Sequence, residues 1–230
     1  MTKPSAFAGI NACVFDAYGT LLDLGDFTQR FRDVLGPVAG DLMGLWRRKQ
    51  LEYSWLRSLM GRHTDFWHVT GESLDHAMAA FAISDPSLRA RLMEAWLAPK
   101  AYAEVPVVLG RLREAGMKVA ILSNGSPSML TAGINGTGLT RLVDAVLSVE
   151  SVGVFKPHPS VYKLATDSLG VEPKQVCFVS GNGWDVAGAA AFGFNVAWVN
   201  RAGAPRDVLP AGPDAEVPDL TGLLGLVGVG

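Results

Sequence analysis

"VFDAYGTLLD" (14–23) ends a run of apolar residues in a carboxylate, Asp16, close to the start of the chain. Tyr18 and Thr20 follow and supply an aromatic ring and a hydroxyl, and Gly19 between them can adopt backbone dihedral angles that other residues disfavour. A short apolar run bounded by turn residues is typical of a buried strand in a parallel sheet. The stretch therefore predicts a strand that delivers Asp16 to its carboxyl end.

Apolar runs of strand length recur along the chain, and segments of helical length separate them. The runs are "ACVF" (12–15), "KVAILS" (118–123), "AVLSV" (145–149), "VCFVS" (176–180) and "NVAWVN" (195–200), and the helical segments are 106–116, 127–138, 159–170 and 184–193. This alternation predicts an α/β fold with a doubly wound, Rossmann-like parallel sheet. Ligands bind beyond the carboxyl ends of such strands. Asp16, Ser123 and Ser180 are therefore expected to converge on one site.

Residues 24–99 break the alternation, because they contain no convincing strand pattern. Amphipathic helices are predicted instead at 40–62, 71–83 and 87–98. We expect a core domain formed by residues 1–23 and 100–230. Residues 24–99 are expected to form an inserted helical cap domain over the strand ends.

Composition narrows the class of protein. The 230 residues are 49% hydrophobic and carry a formal net charge of −2, so no basic surface indicates nucleic-acid binding. No apolar run is long enough to span a membrane, and "MTKPSAFAGINA" (1–12) lacks the pattern of a signal peptide. Cys13 and Cys177 lie in apolar runs and indicate free thiols in a reducing compartment. We expect a cytoplasmic protein.

Four short motifs carry the chemistry: "DAYGT" (16–20), "SNGSP" (123–127), "FKPHP" (155–159) and "SGNGWD" (180–185). In order and placement these motifs resemble those of the haloacid dehalogenase superfamily. The residues within each motif resemble more closely those of its L-2-haloacid dehalogenases (type II). "LWRRKQLEYSWLRSLM" (45–60) is similar to the cap helix of that family. The resemblance covers nearly the whole chain. It implies a hydrolase that acts on a small 2-haloacid, forms homodimers and needs no cofactor.

Asp16 is the predicted nucleophile. A lone aspartate after a strand could equally cap a helix or lie in a loop, but the other motifs favour catalysis. A carboxylate held in a dry pocket against a carbon atom gains an effective-molarity advantage of roughly 7–11 kcal/mol. Thr20 is expected to hydrogen-bond Asp16 or its loop.

The residue types favour attack on carbon over attack on phosphorus. Magnesium phosphatases of the superfamily resemble "DxDxT", where the second aspartate protonates the leaving oxygen. Tyr18 occupies that position here, and a phenol with a pKa of about 10 is a poor acid at neutral pH. The expected metal-binding carboxylate before Asp185 is replaced by Gly181. A halide leaves without a proton, so the sequence predicts a dehalogenase with no metal.

Arg47 is the predicted site for the leaving halide, because prepositioned donors stabilise developing negative charge. On a helix Arg47 shares one face with Leu51 and Trp55, and the family's halide-binding arginine falls on it. Asn124 is the expected amide partner. Arg48 replaces the glutamine often found in the family, and with Lys49 it is expected to form a solvated face.

The charge balance of the site and the family resemblance predict roles for the remaining polar residues. Ser123 is expected to bind the substrate carboxylate. Lys156 is expected to reduce repulsion among Asp16, Asp185 and an anionic substrate. The resemblance implies that Ser180, Asn182 and Asp185 hold and activate the water that hydrolyses the ester, with Asp185 as general base.

Apolar side chains are predicted to line the pocket, namely Tyr18, Leu51, Phe66 and Trp184. For Leu51 and Phe66, packing between the cap and the core is the alternative. Gly181 replaces a serine often seen in the family. His63, His68 and His76 lie in the insert without a carboxylate or cysteine at metal-ligand spacing, so no metal site is assigned.

The sequence therefore predicts hydrolysis of short (S)-2-haloalkanoic acids to (R)-2-hydroxy acids. Three alternatives stay open at this point: a magnesium phosphatase of the same fold, a non-catalytic binding protein, and a hydrolase with a different physiological substrate.

Overall fold

A six-stranded parallel sheet forms the centre of the molecule. The computed structural model describes residues 7–230, so residues 1–6, the first half of the segment compared with a signal peptide, lie outside the described residues. The sheet comprises β1 (Ala12–Phe15), β4 (Lys118–Ser123), β5 (Ala145–Ser148), β6 (Val176–Ser180), β7 (Asn195–Val199) and β8 (Ala215–Val217). Their order is β5-β4-β1-β6-β7-β8, and all five neighbouring pairs are parallel. The predicted doubly wound sheet is confirmed.

The strand register brings the predicted site residues together. Phe15 pairs with Ile121 on one side and with Val179 on the other. Asp16 follows β1 directly, and its backbone N–H donates to the Val179 carbonyl over 3.0 Å. Asp16 and the last residue of β6, Ser180, therefore lie at the same edge of the sheet.

A short antiparallel ladder closes the base of the insert. It joins β2 (Leu22–Asp23) to β3 (Lys100–Ala101). The two strands flank residues 24–99, and this placement supports the domain division that we propose, with the cap beginning and ending there.

Four helices form the insert: α1 (Gly25–Leu35), α2 (Ala39–Met60), α3 (Phe66–Ala80) and α4 (Pro86–Ala95). The sequence analysis missed α1. It also placed the start of α3 at residue 71, whereas Asp65 caps α3 by accepting a hydrogen bond from His68 N. The buried residues of α2 recur every four positions, at Leu42, Trp46, Gln50 and Ser54. One stripe of α2 is therefore buried, as expected of an amphipathic helix.

The other helices cover the faces of the sheet. They are α5 (Val105–Glu114), α6 (Pro127–Gly136), α7 (Pro159–Leu169), α8 (Gly183–Phe192) and α9 (Thr221–Leu226). Ser126 caps α6 through Met129 N, with Pro127 in the first turn. In the described part of the chain, no helix is long and apolar enough to cross a membrane.

Hydrogen bonds join the core directly to the insert. Glu150 accepts hydrogen bonds from Phe66 N (3.1 Å) and His63 Nε2 (2.8 Å). Ser58 Oγ accepts one from Phe155 N (3.0 Å). Glu150 is therefore a partner of His63 that is distant in sequence. His68 pairs with Glu72 one helical turn later over 3.2 Å.

Candidate active site

The Asp16 carboxylate lies in a ring of hydrogen-bond donors at the end of β1. Its Oδ2 accepts from Thr20 Oγ1 (3.0 Å) and Asn182 Nδ2 (2.8 Å). Its Oδ1 receives one longer contact, from Lys156 Nζ (3.2 Å). Asp16 is only 6% exposed. Oδ1 is consequently the less engaged oxygen of a nearly dry carboxylate.

Gly19 and Gly181 allow the loops after β1 and β6 to meet. Gly19 has φ +86°, a conformation that favours glycine. A Cβ at Gly181 would lie 2.4 Å from the Gly19 carbonyl oxygen. Gly181 N also donates to Thr20 Oγ1 over 2.9 Å. The absent side chain at Gly181 therefore permits the close contact that sets Thr20 against Asp16.

Lys156 links the two acidic residues of the site. Its Nζ lies 3.2 Å from Asp16 Oδ1 and 2.8 Å from Asp185 Oδ2, and its side chain is fully buried. Burial alone would lower the pKa of Lys156, but the two carboxylates outweigh it and raise that pKa. The ammonium group therefore stays charged and compensates the carboxylates.

Asp185 lies in the first turn of α8 and is also fully buried. Lys156 binds its Oδ2, and Tyr162 donates its hydroxyl to Oδ1 over 2.8 Å. Burial raises the pKa of Asp185 to about 6; Lys156 opposes this shift and the Asp16 charge adds to it. Asp185 can therefore exchange a proton near neutral pH.

Gly188 gives Tyr162 the room to reach Asp185. A Cβ at Gly188 would lie 2.4 Å from Tyr162 Oη and 2.5 Å from Pro157 Cβ. Glycine inside a helix normally destabilises it relative to alanine. Here α8 uses glycine because α7 and the loop after Lys156 pack against that point.

Ser123 ends β4 and Asn124 follows it, on the other side of Asp16. Asn124 Oδ1 accepts from Lys156 N (3.0 Å), and Ser123 Oγ accepts from Gly125 N (3.1 Å). Within residues 7–230, no acceptor binds Asn124 Nδ2 or the Ser123 hydroxyl hydrogen. Both donors are thus available to an anionic ligand. Ser180 Oγ accepts from Asn182 N (3.1 Å) and thereby orients the start of α8.

Arg47 extends from α2 towards the acidic residues. It interacts electrostatically with Asp16 and Tyr18, and its guanidinium lies 5.9 Å from the centre of the Trp96 ring. Burial lowers the pKa of Arg47, and the Asp16 charge opposes that shift. A cavity of about 310 Å³ between α1 and α2 has Arg47 and Trp96 in its wall. Arg47 therefore lies at the wall of a cavity large enough to hold a small molecule.

Aromatic rings surround the charged groups. Tyr18 is 3% exposed, packs 5.0 Å from the Trp96 ring, and donates its hydroxyl to the Trp96 carbonyl (3.3 Å). Burial raises the pKa of Tyr18 above its ordinary value. Trp184 contacts Trp55 of α2 with ring centres 5.5 Å apart.

Phe66 packs 5.7 Å from Phe155 at the boundary of cap and core, and Leu51 is partly buried. These contacts fit the packing alternative for Phe66. A substrate-binding role for Leu51 and Phe66 stays a prediction.

Comparison with known proteins identifies the family. A profile for haloacid dehalogenase-like hydrolases matches residues 10–193. (S)-2-haloacid dehalogenase 1 of Pseudomonas sp. (strain CBS-3) is 46% identical over 199 residues, 86% of this chain and 88% of the relative. The chain belongs to the (S)-2-haloacid dehalogenase family. Solved structures of two dehalogenases agree with this assignment.

One of these dehalogenase structures superposes with a TM-score of 0.93 at 43% identity, over 96% of this chain and 98% of the other. The L-2-haloacid dehalogenase of Xanthobacter autotrophicus, solved with chloropropionic acid covalently bound, gives 0.86 at 40% identity, over 93% and 96%. The similarity to these dehalogenases includes the cap as well as the sheet.

Tyr162 and Gln50 are the polar residues of this dehalogenase site that the sequence analysis missed. Each lies inside a helix and does not follow a strand of the sheet. Tyr162 contacts Asp185, and Gln50 Oε1 accepts from Arg47 Nη1 over 2.5 Å. Only the packing of helices against the strand ends reveals these contacts.

The described residues contain no group of three or more histidine, cysteine, aspartate or glutamate side chains placed to hold a metal ion. The acidic pair of the dehalogenase site is instead bridged by Lys156.

Proposed function

We propose that this chain hydrolyses short-chain (S)-2-haloalkanoic acids to (R)-2-hydroxy acids and halide, through an ester on Asp16. The observation that carries the proposal is the asymmetry of the Asp16 carboxylate. Oδ2 is held by two donors, whereas Oδ1 is left with the longer contact to Lys156. One oxygen is fixed and the other is free to attack.

In the first step Asp16 Oδ1 attacks C2 of the substrate from the side opposite the halogen. The carbon–halogen bond breaks, and the halide leaves with the bonding electrons. Arg47 and the free Asn124 Nδ2 stabilise the charge that develops on it. The Ser123 hydroxyl binds the substrate carboxylate. Backside displacement inverts C2.

In the second step a water molecule attacks Asp16 Cγ, and Asp185 takes its proton. Each Asp185 oxygen has a second lone pair beyond its bond to Lys156 or Tyr162, so it can accept from water. Negative charge develops on Asp16 Oδ2, where the Thr20 hydroxyl and Asn182 Nδ2 already donate. The intermediate then expels the 2-hydroxy acid, which recovers the proton. This step leaves C2 untouched, so one inversion results overall.

A single turnover with excess enzyme in H₂¹⁸O tests the proposal. The expected result is ¹⁸O in the peptide that contains Asp16 and none in the product hydroxyl, because that oxygen comes from the enzyme. Direct attack of water on C2 would place ¹⁸O in the product. Asp16→Asn should abolish steady halide release.

A second measurement separates this reaction from phosphoryl transfer. Halide release should survive extensive treatment with a strong chelator. Activity that disappears and returns with magnesium, together with hydrolysis of phosphate esters, would identify a phosphatase instead.

We propose that the protein is a homodimer, as the family resemblance implies. Leu56, Leu59 and Met60 are 44%, 84% and 62% exposed and share one face at the end of α2. A helix face of this kind supports an interface between subunits. Light scattering after gel filtration should give twice the chain mass, 24.4 kDa. Leu59→Asp should reduce it to one chain mass, whereas Leu209→Asp should not.

We further propose a cytoplasmic location. Cys13 and Cys177 are buried and unpaired, as thiols are in reducing compartments. Fractionation of producing cells should recover the protein with cytoplasmic markers.

A further inference from the structure

Gln50 is a buried polar residue that neither step of the proposed reaction uses. It lies on α2, one turn after Arg47, and is 0% exposed. Its Oε1 accepts a hydrogen bond from Arg47 Nη1 (2.5 Å), and its Nε2 donates to Thr70 Oγ1 on α3 (2.7 Å). Both ends of the amide are therefore occupied.

The Thr70 contacts fix the orientation of this amide. The Thr70 hydroxyl donates to the Phe66 carbonyl over 2.6 Å, so it can only accept from Gln50. Trp46 Nε1 donates to the Thr70 carbonyl over 2.9 Å and holds the same turn of α3. Gln50 must therefore point Nε2 at Thr70 and Oε1 at Arg47.

The partner of Arg47 is neutral. Among the ion pairs of residues 7–230, none within 4.0 Å involves Arg47. A carboxylate in place of the Gln50 amide would bind the guanidinium more strongly but would cancel much of its charge. Gln50 offers an acceptor without that loss, which matters because Arg47 faces the bond that breaks.

We propose that Gln50 is a positioning residue that orients the Arg47 guanidinium towards the leaving halide and keeps its positive charge uncompensated. The inference rests on the proposed function, because it assigns Gln50 to the halide-release step. Chloride is a poorer leaving group than bromide and carries more concentrated charge. Expulsion of chloride should therefore depend more strongly on Gln50.

The test compares Gln50→Glu and Gln50→Leu with Ser73→Ala as the matched control. Ser73 is also 0% exposed on α3, and its hydroxyl donates to the Thr70 carbonyl, but it does not touch Arg47. Halide release is measured in single turnovers with excess enzyme on (S)-2-chloropropionate and (S)-2-bromopropionate. This design isolates the first step from ester hydrolysis.

Gln50→Glu should slow chloride release by about 10²-fold, since it weakens the charge that stabilises the halide. Gln50→Leu should slow it by about 10-fold through misplacement of Arg47. In both variants the bromide-to-chloride rate ratio should rise by about 5-fold or more, a shift that follows from the larger demand of chloride. Ser73→Ala should leave that ratio unchanged.

Equal losses on both substrates in folded Gln50 variants, or the same ratio change in Ser73→Ala, would overturn the positioning role. Halide release by the wild type would still stand in that case, and only its absence would count against the proposed function. If both Gln50 variants fail to fold, Thr70→Val decides. This substitution removes the oxygen that accepts the hydrogen bond from Gln50 Nε2. An unchanged bromide-to-chloride rate ratio in Thr70→Val would refute the inference.

Discussion

Tyr162 donates its hydroxyl to Asp185 Oδ1 over 2.8 Å, and neither side chain is exposed to solvent. The bond favours the ionised carboxylate, which is the form that accepts a proton from water. It thereby opposes the burial that raises the pKa of Asp185.

Tyr162→Phe should consequently raise the pKa of Asp185 above about 6. The acidic limb of the pH profile for ester hydrolysis should move to higher pH, and the rate at pH 7 should fall by about 10-fold. Rapid quenching followed by mass analysis of the Asp16 ester measures this step. Tyr53→Phe, on the partly exposed side of α2, is the control. An unmoved acidic limb would contradict the role of Tyr162.

The pKa of Asp185 also predicts how stability depends on pH. The folded pKa of about 6 exceeds the ordinary value of 3.8. Between these values the folded state binds more protons than the unfolded state, so this group stabilises the fold as the pH falls from 6 towards 4. Above pH 6 its buried charge is a cost. Asp185→Asn removes this titration.

The free energy of unfolding of wild type minus that of Asp185→Asn should therefore rise as the pH is lowered across this window. Urea titrations at several pH values measure it, since the other titrating groups are common to both proteins. A flat difference would show that the folded pKa of Asp185 is ordinary, and a falling difference that it lies below the ordinary value; both outcomes contradict the prediction.

Lys156→Met should destabilise the protein, because it leaves the Asp16 and Asp185 carboxylates buried without a counter-ion. Breaking a buried pair in this way costs about 3–5 kcal/mol. The loss should be smaller at pH 5, where Asp185 can take up a proton. Lys163→Met is the matched control: Lys163 is 61% exposed on α7 and pairs with Asp167, so its loss should cost no more than about 1 kcal/mol. Similar losses in the two variants would mean that the buried charges are compensated elsewhere.

Gly188→Ala should reverse the usual effect of this substitution in a helix. Alanine normally stabilises a helix interior by about 0.5–1 kcal/mol over glycine. At Gly188 the added Cβ would collide with Tyr162 Oη and Pro157 Cβ, so stability and ester hydrolysis should both decrease. Gly110→Ala, in α5 with nothing within 4 Å of its Cβ position, should be neutral or stabilising. Thermal unfolding of both variants distinguishes them.

The sheet could be predicted because its strands are continuous apolar runs. Three of the five predicted runs match the observed strands residue for residue. The strands observed within 145–149 and 195–200 each end one residue before the predicted end. β8 was missed because its three residues include the exposed Glu216. The ladder of β2 and β3 has two residues in each strand, too few for any pattern to show.

Helix α1 was missed although its buried residues recur every four positions, at Phe27, Phe31 and Leu35. Its sequence begins with Gly25, and the residue before it provides no side-chain cap. Because no capping residue marks the start of a helix here, the spacing of the apolar residues did not lead to a helix prediction over Gly25–Leu35.

The site could be predicted where its residues follow strands, since parallel strands end at one edge. The placement of Asp16, Ser123 and Ser180 at one edge of the sheet was predicted in this way. Tyr162 and Gln50 could not be predicted, because the rotation of a helix about its own axis decides which of its side chains face a neighbouring element. That rotation depends on packing between elements far apart in sequence.

The close approach of Gly181 to the Gly19 carbonyl joins the loop after Asp16 to the loop after Ser180. Those two loops therefore cannot be reshaped separately, and random libraries aimed at them should yield mostly inactive clones. Anyone seeking to broaden the range of acids accepted should instead diversify other wall positions of α2 and α3, and leave Arg47, Gln50 and Thr70 unchanged because their hydrogen bonds orient the guanidinium.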